Sequence, residues 1–150
     1  MGHDDRSVAG LRQVARDCLK EGRHTEAFLH LSHAIKMDET NCDLLSDRSK
    51  CSLENLQYFF ALEDAQMMIK LRPESWLGKD WKDYFLNISW GFAAAGHVRL
   101  AEVYQATYNL ELAIPSYQNA FQCRDSDKNY CKLMLDKCKR DLVLDTRADM

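Results

Sequence analysis

Proline and glycine are scarce, at 2 and 6 in 150 residues. With so few breakers spread along the chain, the sequence predicts an all-helical fold. Long apolar runs are missing too, and no stretch approaches the roughly 18 residues a membrane-spanning helix needs. The polar start, Met-Gly-His-Asp-Asp-Arg, lacks the apolar centre of a secretory signal. There is no excess of positive charge. A net charge of −3 argues against general attraction to nucleic acid or anionic membrane. The six cysteines (18, 42, 51, 123, 131 and 138) form no Cys-x-x-Cys pair. Without an export signal they are expected to be reduced, small apolar core residues of a cytoplasmic protein. The sequon Asn87-Ile88-Ser89 is expected to be inert there. No Gly-rich phosphate loop, Gly-x-Ser-x-Gly or metalloprotease signature occurs, and the carboxylates are scattered. No enzyme, cofactor or bound metal is therefore expected.

What is present is an ordinary globular composition, 46% hydrophobic and 29% charged, in one domain spanning 1–150. It also repeats. Ala27 and Ala61 lie 34 residues apart, the period of a helix–turn–helix unit, and Ala113 lies 52 further on, one period plus 18. Four residues after each come Leu31, Ala65 and Tyr117; seven after come Ala34, Met68 and Ala120. Small residues recurring at those offsets let two helices approach closely, while the larger ones fill the space between them. Such a short solenoid works by binding.

Apolar periodicity predicts helices over Val8–Lys20, from His24 or Thr25 through an inward-facing Met37, over Cys42–Glu54, and over Tyr58–Leu71, ended by Pro73. Thr40 or Asn41 would cap the third. A further helix is expected from about Leu110 to Cys123. These residues resemble the tetratricopeptide repeat family. The first unit, about 8–41, supplies Leu11, Val14-Ala15, Cys18, Gly22, Ala27, Leu31 and Ala34. The second, about 42–75, supplies Leu45, Arg48-Ser49, Ser52, Ala61, Ala65, Met68 and Pro73, with Leu56 replacing the turn glycine. The third, about 94–127, supplies His97, Leu100-Ala101, Tyr104, Ala113, Tyr117 and Ala120. The resemblance implies a right-handed all-α solenoid of about seven helices. Its closing helix would cover about 128–143 and bury Tyr130, Leu133, Met134 and Leu142.

Between units two and three the family pattern is interrupted by 18 residues, about 76–93. Eighteen residues are five helical turns, and Trp81, Phe85, Ile88 and Phe92 form an amphipathic stripe. A helical insert is expected, with a possible break near Gly91 or Gly96. Trp76, Trp81 and Phe85 could pack over the array's edge or offer an alternative partner surface.

In the family, the first helix of each unit lines a concave groove. The resemblance places Arg12, Arg16 and Leu19 there from unit one, Asp47 and Lys50 from unit two, and Val98 and Arg99 from unit three. Co-chaperone members hold a chaperone's terminal carboxylate with Lys and Asn in unit one, Asn in unit two, and Lys and Arg in unit three. The matching residues here are Arg12 and Arg16, then Asp47, then Ala95 and Arg99. Asp47 sets a negative charge where a ligand carboxylate would lie, unless it pairs with Arg16 or Lys50. The expected function is a protein-interaction adaptor taking an acidic segment, with a protein or peptide as partner. The alternative is a redox-active or zinc-binding protein using its Cys and His residues. His30 and His33 share a helix face, but no third ligand accompanies them.

Overall fold

The computed structural model describes residues 7–71, 92–123 and 126–148. They form seven helices and no strand: α1 (Val8–Lys20), α2 (His24–Met37), α3 (Cys42–Glu54), α4 (Tyr58–Leu71), α5 (Phe92–Ala106), α6 (Leu110–Gln122) and α7 (Lys128–Ala148). Local chemistry sets the starts. The Ser7 side chain accepts from the Gly10 amide at 2.9 Å, and Asn41 accepts from Asp43 and Leu44. Each helix packs on the next, and α3 also meets α5. First helices and second helices thus fall into two rows, the arrangement of a helical-repeat solenoid.

All nine repeat residues, Ala27, Leu31, Ala34, Ala61, Ala65, Met68, Ala113, Tyr117 and Ala120, are fully buried. Opposite them stand the small residues of the first helices, Ala15, Ser49 and Ala101, which are also buried. Contact there is close enough for the Ser49 hydroxyl to donate to the Ala61 carbonyl at 2.9 Å. Burying larger members such as Leu31 or Met68 contributes about 1.5–3 kcal/mol each.

The three unit turns are built alike. Gly22, Leu56 and Tyr108 have φ values of 77°, 62° and 61°. The next amide, of Arg23, Gln57 or Asn109, returns to the carbonyl of Cys18, Ser52 or Tyr104 at 2.7–2.8 Å. Only glycine adopts this left-handed geometry without strain. Leu56→Gly and Tyr108→Gly are therefore each expected to raise stability by about 1 kcal/mol, measured by urea unfolding. Both residues are exposed, so little packing is lost. A loss of stability in either would contradict the strain.

Arg48 occupies the slot that Val14 and Leu100 fill in the other units. Its charge is met by Asp64 of α4 through two bonds, Nε to Oδ2 at 2.8 Å and Nη2 to Oδ1 at 2.7 Å. It also donates to Ser32 Oγ of α2 at 3.1 Å and lies over the Phe28 ring. Burial pushes the Asp64 carboxyl up, against the opposing pull of Arg48.

Several expectations need correction. Gly96 does not break a helix; it lies inside α5, buried against α4. A Cβ there would stand 2.9 Å from Ile69 Cγ1 and 3.2 Å from the Ile69 backbone nitrogen. Gly96→Ala is thus expected to destabilise by about 1–3 kcal/mol; an unchanged unfolding midpoint would refute the close approach. The closing helix runs on to Ala148. Met37 and Leu133 point to solvent, at 51% and 62% exposure. Met37 ends α2 beyond the last inward turn, and Leu133 lies off the face of α7 that carries buried Cys131 and Cys138. The insert, including Trp76, Trp81, Phe85 and Gly91, lies outside the described residues, apart from Phe92 and Ala93, which begin α5.

Candidate partner-binding groove

Arg12 and Arg16 are one turn apart on α1; Asp43, Asp47 and Lys50 recur at similar spacing on α3. The structure brings the two sets together. Arg12 Nε donates to Asp47 Oδ2 at 2.6 Å, and Arg12 Nη1 lies 3.8 Å from Asp43. Arg16 Nε stands 4.0 Å from the same Asp47 oxygen. The partner of Asp47 is therefore chiefly Arg12, and only secondarily Arg16. Arg12 and Asp47 side chains are 27% and 25% exposed, which makes a shielded, charge-assisted pair. Arg16 is half-exposed and Lys50 exposed.

In unit three, Arg99 Nη1 donates to Glu102 Oε1 at 2.7 Å, with both side chains mostly shielded. Its Nε is buried and has no acceptor among the described residues. Tyr130 of α7 reaches this end of the face. Its phenol is pushed up by burial first and by the charge of Glu102 second. Tyr130 also meets the buried Tyr117 ring edge-on, at 6.4 Å between centroids, and Tyr117 donates to Gln105 at 2.7 Å. Burial pushes the Tyr117 phenol up as well.

Leu19 packs against the first core cluster and so belongs to the interior as much as to the face. Val98 is half-buried on α5. Two features do not follow from spacing along the chain: the proximity of Asp43 to Arg12, and the Arg48–Asp64 pair. A charged residue in an apolar slot of the repeat was the available signal for the pair.

The thiols offer little chemistry. All six are buried. Burial and Glu54 push Cys51 up to about 11, and burial pushes Cys131 and Cys138 up too. A thiolate nucleophile or ligand requires the opposite shift. Among the described residues, no group of three metal-ligating side chains stands together, and no helix is long and apolar enough to cross a membrane.

No family model matches the sequence. Solved structures do match the fold. The first tetratricopeptide repeat domain of Spaghetti (RPAP3), bound to the HSP90 peptide SRMEEVD, is 15% identical with a TM-score of 0.71, covering 95% of this chain and 98% of that one. The Sgt2 repeat domain from Aspergillus fumigatus is 14% identical with a TM-score of 0.73, over 98% of this chain and 88% of that one. The TPR2AB domain of yeast Sti1, in a complex with pHSP90, is 12% identical with a TM-score of 0.69, over 93% of this chain and 48% of that one. The chain has the tetratricopeptide-repeat fold.

Proposed function

We propose that this chain is a cytoplasmic protein-interaction adaptor, not an enzyme, whose first-helix face takes an acidic peptide segment of a partner. The observation that carries the reading is the shared face of α1 and α3, where Arg12 and Arg16 converge on Asp47 across one repeat. Arg99 extends the row of cations to α5. Two of the similar structures are of complexes, with an HSP90 peptide and with pHSP90, which supports a peptide as the kind of ligand. The groove differs from a bare cationic clamp. Arg12 and Arg99 already hold carboxylates of the chain itself, so an incoming acid must compete with Asp47 and Glu102. Such a site favours a segment carrying several acceptors over a lone carboxylate. The redox alternative draws no support from the thiols of Cys51, Cys131 and Cys138, whose pKa values burial raises.

A photo-reactive residue placed at position 16 or at position 81 separates the groove from the tryptophan-bearing insert. Partner cross-links from position 16 are the expected result. Cross-links confined to position 81 would move the site to the insert.

A further inference from the structure

A cavity of about 240 Å3 opens where the start of α2, the end of α3 and the start of α4 meet, and none of the charged residues Arg12, Arg16, Asp43, Asp47 and Lys50 lines it. Phe28, Phe60, Cys51 and Ser52 wall it, and Thr25, Asn55 and Gln57 complete the lining. Ser52 is 1% exposed, and its Oγ has no hydrogen-bond partner among the described residues. A buried hydroxyl left without a partner is costly, and rotation about the Ser52 Cα–Cβ bond would carry it to a polar atom in the cavity that this residue lines.

The chain's own repeats indicate what fits. Ser52 holds the same turn position as Cys18 and Tyr104, since each carbonyl accepts the bond that closes its unit's turn. In unit three the aromatic Tyr104 packs against the core at that position. Serine there leaves out a ring and its hydroxyl-bearing end. None of the seven lining residues is acidic or basic, so the cavity is matched to an uncharged group. The exposed edges of Phe60 and Phe59 extend the apolar surface at its mouth.

We propose that this cavity binds a neutral aromatic ring bearing one hydrogen-bonding atom, of the phenol class, with the ring against Phe28 and Phe60 and the polar atom on Ser52 Oγ. The ring can come from a free small molecule or from a tyrosine side chain of a partner. The probes are p-cresol, toluene and N-acetyltyrosine amide, titrated into the full chain and followed by amide NMR shifts. The expected result is p-cresol shifts centred on Thr25, Cys51, Ser52, Asn55 and Gln57, with affinity roughly threefold to tenfold above toluene, the contribution of one hydrogen bond. Ser52→Ala should erase that preference and leave toluene binding. Ser52→Tyr should fill the space from within and exclude both probes. If Ser52→Tyr fails to fold, Phe60→Ala, at a half-exposed position, should weaken both probes in a protein still fully helical. N-acetyltyrosine amide binding as well as p-cresol identifies a protein side chain as the source; its exclusion while p-cresol binds identifies a free ligand. No shifts with p-cresol, or a preference over toluene that survives Ser52→Ala, would overturn the proposal.

Discussion

Arg48→Ala and Asp64→Ala should each lower stability by about 3–5 kcal/mol, the usual cost of leaving one member of a buried ion pair without the other. The effect is large because the pair is shielded and fully bonded. Asp64 is 4% exposed, and its two oxygens are held at 2.7 and 2.8 Å. Arg48 also reaches Ser32, so one guanidinium ties α2, α3 and α4 together. Each single variant strands a charge; removing both does not. Arg48→Met combined with Asp64→Leu should recover most of the loss, since well-packed apolar residues commonly replace such pairs at little net cost. Urea unfolding of the unaltered protein, the two alanine variants and the Arg48→Ala/Asp64→Ala double variant gives the coupling directly. Two modest losses that simply add would show that the pair is not a unit.

The sequence revealed most of the scaffold because its information there is periodic and local. Ala27, Ala61 and Ala113 recur at the repeat spacing and are all fully buried. The ends of α1, α3 and α4 follow from apolar stripes and turn signals. Leu56 stands where the repeat wants a glycine, and it adopts the glycine-like backbone regardless. Tertiary packing there overrides local preference. The site was less legible. Which carboxylate Arg12 meets depends on how far α3 is turned against α1, and spacing along one chain does not encode that rotation. Spacing alone offers Arg16 or Lys50 as the partner of Asp47, yet Arg12 lies nearer. The Arg48–Asp64 pair is hidden in the pattern because the stripe of α4 is defined by its apolar positions, whereas Asp64 sits on the same buried face.

The groove's charges give the second large effect. Binding of an acidic peptide should fall with salt, and reversing one cation, as in Arg16→Glu or Arg99→Glu, should weaken it by tenfold or far more. A desolvated charge pair broken on one side costs about 2–5 kcal/mol. Asp47→Asn should act in the other direction. It removes a carboxylate from the face proposed to take the ligand and releases Arg12 from its 2.6 Å bond. A gain of tenfold corresponds to about 1.4 kcal/mol, modest for a charge freed from a shielded pair.

The most direct measurement is a calorimetric titration of the peptide SRMEEVD into the unaltered protein, Asp47→Asn and Arg12→Glu at two salt concentrations. The expected result is weak, salt-sensitive binding by the unaltered protein, at least tenfold tighter binding by Asp47→Asn, and none by Arg12→Glu. Equal affinity in all three proteins, insensitive to salt, would contradict a peptide-binding face built on Arg12, Arg16 and Asp47.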